Sequence, residues 1–247
     1  MSPSSLERFG ACALRWLLVS SGGDGVPSPA ADIGTLVHDV VADLGDVDAP
    51  TLQAEIDRRW LLLGLPPGWA NERKRAEAHD MARRLADYLA SAPQRGWHRA
   101  GSELELDVTL GRARLRGRVD RLERHTDERL RVVDYKTGSS KPTKAQMPRH
   151  PQLGAYQAAV EAGAFGELGD GTAGAALVQV GKAAGSSFVL QQQAPLPTDE
   201  DPGWARTLVE QAAEGMAAAT YHARPGPHCA RCPVRSSCPA QRDGRTI

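Results

Sequence analysis

The sequence predicts an α/β protein in which a helical first part is followed by strands and further helices. Two observations carry this prediction. Between about residues 4 and 92, apolar residues recur every three or four positions, as on one face of an α-helix. From residue 103 they alternate with polar residues, as in strands. We expect one domain over residues 1–247, with a helical part (1–100), a sheet and helix (101–195), and a C-terminal helix with a cysteine-containing tail (196–247).

The composition indicates a folded, soluble protein. Hydrophobic residues make up 41% and charged residues 24% of the 247 residues, which is ordinary for a globular chain. The 30 basic and 30 acidic residues cancel, so net charge gives no support for nucleic-acid binding. Residues 1–5 lack the pattern of a secretory signal, and no apolar run approaches the ~20 residues of a bilayer span. We therefore expect a cytoplasmic protein without membrane association.

Four helices are predicted in the first part of the chain. Ser4 and Glu7 form a capping-box pattern at the start of the first, whose apolar stripe continues to Leu17 and places Cys12 on or beside the buried face. Residues 22–29 interrupt the pattern, and a second helix begins near Asp32. Its apolar positions leave His38 at the margin of the buried stripe. Two charged helices follow at about 51–63 and 71–92.

Three strands are predicted next, at about 103–110, 115–120 and 130–136. A turn near residues 125–127 makes the second and third strands an antiparallel hairpin, which brings Asp120 and Asp134 into neighbouring strands. A helix at 151–163, strands at 175–180 and 187–192, and a helix at 202–221 complete the order. The glycines at 169–174 resemble a dinucleotide-binding pattern, but they follow a helix and precede a strand, so we expect an ordinary loop.

Asp134 and Lys136 form the first candidate site. Residues two apart in a strand share a face, so both side chains project together and Tyr135 points the other way. If the hairpin register places Asp120 beside them, two carboxylates and one ammonium converge, and paired carboxylates suit Mg²⁺ or Mn²⁺. Only 5 of the 30 basic residues are lysine, which makes a chance lysine here less expected. The alternative is a surface ion pair of little energetic consequence.

Two helix faces carry further candidates. Gly34 and His38 lie four residues apart on one face, where the glycine leaves space beside the imidazole for a ligand or for a closely packed strand. Gln152 and Tyr156 share a face of the helix that follows the hairpin, where they are candidates to contact DNA or a metal-bound water. Taken singly, a helical histidine is more often structural, and the glutamine and tyrosine are unremarkable.

Together these residues form four motifs whose order and spacing resemble those of RecB-like nucleases of the PD-(D/E)XK superfamily. The motifs are Gly34-x-x-x-His38, Gly117-Arg-Val-Asp120-Arg121, Asp134-Tyr-Lys-Thr-Gly138 and Gln152-Leu-Gly-Ala-Tyr156. The resemblance implies a PD-(D/E)XK core, with a mixed central sheet flanked by helices, that hydrolyses DNA to leave 5′-phosphate ends. It also implies that His38, Asp120, Asp134 and the carbonyl of Tyr135 hold the metal, with Lys136 as catalytic base or stabiliser and Gln152 and Tyr156 in the catalytic set.

The four cysteines form the second candidate site. Cys229, Cys232 and Cys238 make a tight run, and Cys12 is far away in sequence. A zinc site is one interpretation, and His228 is then a possible replacement for Cys12. The spacing also resembles the iron–sulfur domain of AddB-type helicase–nucleases, which implies a [4Fe–4S] cluster that joins the first helix to the tail.

The functional expectation is a Mg²⁺- or Mn²⁺-dependent deoxyribonuclease, an exonuclease on DNA ends or single strands. The resemblance implies a role in double-strand break repair and recombination beside a helicase motor. The alternatives are a freestanding nuclease of CRISPR adaptation and a catalytically inactive subunit that binds DNA or acts as a scaffold. Because imidazole is a softer ligand than carboxylate, we expect Mn²⁺ to support activity at least as well as Mg²⁺.

Overall fold

The computed structural model describes residues 1–23, 29–169 and 171–241, and its centre is one mixed sheet. Five strands follow one another in the order β1 (Trp97–Leu110), β2 (Ala113–His125), β3 (Leu130–Lys136), β4 (Thr172–Gln179) and β5 (Val189–Gln193). Neighbouring strands are antiparallel except β3 and β4, which are parallel. The parallel pair requires a crossover, and a helix between the two strands provides it. The expected mixed sheet flanked by helices is confirmed.

The helices are α1 (Pro3–Ala11), α2 (Ala13–Leu18), α3 (Pro29–Leu44), α4 (Ala49–Trp60), α5 (Trp69–Ser91), α6 (Pro151–Glu161) and α7 (Trp204–Met216). The last ends five residues before the predicted Tyr221. Most of the glycine- and proline-rich stretch at 22–29 lies outside the described residues, as do Asp170 of the glycine loop and residues 242–247. Within the described part of the chain, none of the helices combines the length and hydropathy that a bilayer span requires.

The first helix differs from its prediction in two ways. The capping box is formed by Ser2 and Ser5 rather than by Ser4 and Glu7, and Pro3 occupies the first turn, where its missing N–H costs nothing. The helix also breaks at Cys12, which has an extended backbone (φ −165°, ψ 110°). The Cys12 Sγ accepts the N–H of Arg15 at 3.5 Å and so caps α2. A cysteine is not a usual capping residue, which explains why the apolar pattern alone predicted one continuous helix.

Each face of the sheet is covered by a helical layer. Helices α3, α4 and α5 pack over one face together with the side chains of Val133 and Tyr135. Helices α1, α6 and α7 pack over the other face together with Leu130 and Val132. Alternation along β3 therefore directs Asp134 and Lys136 toward the α6 layer and Tyr135 toward the α3 layer. The sequence predicted that the two charged side chains share a face and that Tyr135 points the other way.

Candidate active site

The site forms where β2 and β3 stop pairing with each other. The last pair of their ladder is Arg121 and Val133, so Asp120 of β2 and Asp134 of β3 lie just beyond it. The Asp120 carboxylate fills part of the gap, because its Oδ2 accepts the backbone N–H of Tyr135 at 2.7 Å. This bond holds the Asp120 carboxylate beside the strand that carries Asp134 and Lys136.

Asp134, Lys136, Gln152 and Tyr156 form one hydrogen-bonded group. The Lys136 Nζ lies 2.7 Å from Oδ2 of Asp134 and donates to Oε1 of Gln152 at 2.8 Å. The Gln152 Nε2 donates to Oδ1 of Asp134 at 2.7 Å, and the Tyr156 hydroxyl donates to the same oxygen at 3.3 Å. Helix α6 positions both side chains because residues four apart share a helix face. The structure therefore brings together all four of these predicted residues.

His38 approaches the same site from α3. Its Nδ1 lies 3.5 Å from Oδ1 of Asp120, and its ring packs edge-on against Tyr135 with centroids 5.9 Å apart. Gly34, one turn earlier, allows this approach: a Cβ at that position would lie 2.6 Å from Oγ1 of Thr137, which follows β3. Of the two uses predicted for this glycine, close packing against the strand is the one observed.

Glu103 is a further carboxylate at the site, which the sequence analysis missed. One ligand atom each from Glu103, His38 and Asp120 lie within 4.8 Å of one another. Glu103 has φ +49°, a left-handed conformation that is strained for a non-glycine residue, and it lies where the pairing of β1 with β2 is interrupted. Counting outward from the two-residue turn at Gly111 and Arg112 places Glu103 opposite Asp120. The register of this hairpin is therefore the sequence signal that could have identified Glu103.

Burial and crowding of charge perturb the ionisation of this group. Burial, opposed by the Lys136 ammonium and reinforced by the Asp120 carboxylate, raises the pKa of Asp134 to about 6. Burial lowers the pKa of His38, but the bond to Asp120 and the charges of Asp134 and Glu103 outweigh it, so its pKa is raised. The negative charge of Asp120 contributes to both shifts, and a bound cation would offset that charge.

A buried ion-pair network supports the site from the α3 side of the sheet. Arg121, which is 1% exposed, donates to Glu123 at 2.8 Å and to Oδ2 of Asp46, just beyond α3, at 3.0 Å. The fully buried Glu123 also receives bonds from the hydroxyl of Tyr88 and from Arg131. Arg121 follows Asp120 in β2, and Asp46 follows α3, the helix that carries His38. The ion pair between Arg121 and Asp46 therefore fixes this helix relative to the strand of Asp120.

The four cysteines line one small cavity of about 20 Å³ between the start of α2 and the tail. The Sγ of Cys12 accepts backbone N–H groups of Arg15 at 3.5 Å and Arg224 at 3.4 Å. The Sγ of Cys229 accepts the N–H of Gly226 at 3.4 Å. The structure thus brings Cys12 to the tail cysteines.

A family model matches nearly the full length of the chain. The sequence model of the PD-(D/E)XK nuclease superfamily matches residues 1–239. The chain belongs to the PD-(D/E)XK nuclease superfamily. Members of this superfamily are typically metal-dependent nucleases, so DNA is the macromolecule that the fold is suited to bind. The RecB-like and AddB-type assignment is finer than this match and stays a prediction.

Two other comparisons add little to the superfamily assignment. No curated protein matches the chain. A solved structure described as "Crystal structure of SSO0001" is similar with 16% sequence identity and a TM-score of 0.40, over 83% of this chain and 85% of that chain. A similarity of that size carries no conclusion about substrate.

The donor set of this PD-(D/E)XK site fits a hard divalent cation. The carboxylates of Asp120 and Asp134 supply oxygen ligands, which Mg²⁺ and Mn²⁺ prefer, and His38 adds one imidazole nitrogen. Burial, with the Asp120 carboxylate as a smaller contribution, raises the pKa of Asp134, and a bound cation would favour its ionised form. The residues present therefore suit a metal at this position.

Proposed function

We propose that the protein is a Mg²⁺- or Mn²⁺-dependent deoxyribonuclease acting on DNA ends or single strands as an exonuclease. The observation that carries this proposal is the meeting of Asp120 and Asp134 with Lys136 and His38 at the open end of the β2–β3 hairpin. Asp120, Asp134, His38 and the carbonyl of Tyr135 would hold the cation. The cation would supply charge neutralisation at the scissile phosphate.

The protein's own groups have distinct tasks in this proposal. The Lys136 ammonium orients the attacking water and offsets the charge that develops on the phosphoryl oxygens. Gln152 holds both residues, because its Oε1 accepts from Lys136 and its Nε2 donates to Asp134. The Tyr156 hydroxyl adds a second donor to Asp134. Burial raises the pKa of Tyr156 well above its ordinary value, so the phenol stays protonated and keeps donating.

The experiment is cleavage of a short labelled single-stranded oligonucleotide with Mn²⁺, with Mg²⁺ and with chelator alone. We expect cleavage with both metals, at least as fast with Mn²⁺ because His38 is an imidazole ligand. Asp120→Ala is expected to abolish it. Activity with Mg²⁺ alone would argue against His38 as a ligand, and activity in chelator would argue against the metal-dependent mechanism.

We also propose that Cys12, Cys229, Cys232 and Cys238 bind a [4Fe–4S] cluster. The support is that all four cysteines line one cavity and that their spacing in the sequence resembles the iron–sulfur domain of AddB-type helicase–nucleases. A tetrahedral zinc site is the alternative. Zinc without iron in anaerobically purified, colourless protein would refute the cluster.

For the cellular role, we propose break repair and recombination beside a helicase, in a chain that forms one nuclease domain over residues 1–247 and works in the cytoplasm. The support is the resemblance of the motifs to helicase–nucleases. The test is co-purification of a helicase with the tagged protein from its own cells, together with the sensitivity of a deletion strain to double-strand breaks. A deletion strain without that sensitivity would favour one of the other roles, such as CRISPR adaptation.

A further inference from the structure

A groove of about 650 Å³ leaves the site on the α6 side of the sheet. Lys136 lines both this groove and the pocket that contains Asp120 and Asp134, so the two are continuous at that residue. One wall is the segment 138–151 that joins β3 to α6, and α1 contributes Glu7 and Ala11 to the other side. The floor includes Leu177 and Gln179 of β4.

Positive charge is concentrated in and beside this groove, and two of its three lysines are unpaired. Three of the five lysines of the chain, Lys136, Lys141 and Lys144, fall within nine residues. Lys141 lines the groove, and Lys144 precedes Ala145, which also lines it. Both are exposed, and neither has an ion-pair or hydrogen-bond partner among the described residues. In a chain with no net charge, these are local positive charges available to a ligand.

Most arginines of the chain are engaged differently. Arg149, on the same wall of the groove, donates to Asp199 at 2.9 Å and lies over the ring of Trp204. Arginine here is used for fixed, directional pairs, whereas lysine is a mobile point charge on a flexible stem. Two unpaired lysines close together in the chain, Lys141 and Lys144, therefore suit a ligand whose negative charges repeat along its length and need no fixed geometry, which describes a phosphate backbone.

We propose that this groove holds the sugar–phosphate backbone of a single DNA strand on one side of the scissile phosphate, with Lys141 and Lys144 neutralising successive phosphates. The proposal rests on the proposed nuclease function. A single strand is favoured over a duplex because the catalytic carboxylate is buried: the Asp134 side chain is 8% exposed, so the reacting phosphate must descend into the protein. No phenylalanine, tyrosine or tryptophan lines the groove, and its one histidine, His150, is buried, so contact with the backbone rather than base stacking provides the binding.

The test measures binding of a short fluorescent single-stranded oligonucleotide by anisotropy, using the full chain with Asp134→Ala to prevent cleavage. The affinity is measured between about 50 and 200 mM salt, because each neutralised phosphate of a single strand contributes about 0.7 to the slope of log affinity against log salt. Adding Lys141→Ala and Lys144→Ala is expected to reduce that slope by about 1.4. Lys74→Ala is the matched control, since Lys74 lies on α5, across the sheet.

The control is expected to leave the slope unchanged. The proposal is overturned if the single strand does not bind, if the double variant keeps the original slope, or if Lys74→Ala reduces the slope as much per charge. It is also overturned if a duplex of the same sequence binds more tightly and loses the same slope. If the chain binds through these lysines but does not cleave DNA when Asp134 is intact, the nuclease function is refuted and the groove is still supported as a DNA-binding site.

Discussion

Replacing Gln152 with leucine tests whether the site depends on one neutral side chain. Gln152 is 3% exposed, and its amide joins the two charged residues of the β3 motif. Its Nε2 donates to Asp134 at 2.7 Å while its Oε1 accepts from Lys136 at 2.8 Å. Leucine has a similar volume but can do neither. Asp134 and Lys136 would keep their mutual contact and lose the partner that fixes their orientation.

The size of the effect follows from these two bonds. A hydrogen bond to a charged group contributes about 1.5–3 kcal/mol, and loss of a partner that orients a metal ligand typically costs about 10–100-fold in metal affinity or activity. We therefore expect kcat/KM with Mn²⁺ to fall by about 10–100-fold in Gln152→Leu, or about 1.4–2.7 kcal/mol of transition-state stabilisation. Mn²⁺ affinity measured by calorimetry is expected to fall with it.

Gln157→Leu is the matched control on the same helix. Gln157 is fully buried and donates to Gln193 at 2.8 Å and to the carbonyl of Ala194 at 3.0 Å, away from the carboxylates. Both variants are expected to unfold at lower denaturant concentration, but only Gln152→Leu should lose Mn²⁺ affinity and turnover per folded molecule. Equal losses in the two variants, in proportion to their folded fractions, would show that Gln152 is merely structural.

Three further predictions address the fit of α3, the ionisation of the site and the cysteines. Gly34→Ala places a Cβ against Oγ1 of Thr137 and should weaken Mn²⁺ binding in calorimetry; adding Thr137→Ala should restore it, and no rescue would contradict the close-packing argument. Because the folded pKa of Asp134 is about 6, above the ordinary 3.8, the contribution of this one group to the stability of the metal-free protein should increase as the pH falls from about 6 to 4. Asp134→Asn should therefore be the more stable protein near neutral pH, by up to about 3 kcal/mol in urea unfolding, with the advantage shrinking in acid; a constant difference would contradict the shift. Cys12→Ser should lose iron after anaerobic purification while the Mn²⁺ affinity of the folded fraction persists, and full iron retention would exclude Cys12 as a ligand.

Local periodicity was sufficient to predict the parts of the site that lie on single elements. Alternation along β3 predicted that Asp134 and Lys136 share a face, and helical spacing predicted the same of Gln152 and Tyr156. The position of Glu103 beside Asp120 depends on the register of β1 against β2 rather than on the period of either strand, and Glu103 was missed for that reason. A strained φ of +49° at that residue leaves no trace in an apolar pattern.

Contacts between distant segments were beyond the reach of periodicity. The pair between Arg121 and Asp46 joins residues 75 apart, and neither belongs to a recognisable motif of paired charges. The break at Cys12 was missed because a cysteine capping a helix depends on where its sulfur points. The approach of Cys12 to the tail cysteines was expected only from the resemblance to known iron–sulfur nucleases.

The most direct test of the account is single-strand cleavage with Mn²⁺ by three proteins purified in parallel: the unaltered chain, Asp134→Ala and Asp127→Ala. Asp127 is an exposed aspartate in the β2–β3 turn, paired with Arg129, so its loss removes the same charge without touching the site. We predict equal cleavage by the unaltered chain and Asp127→Ala, and none by Asp134→Ala. Equal cleavage by all three would contradict the assignment of the active site.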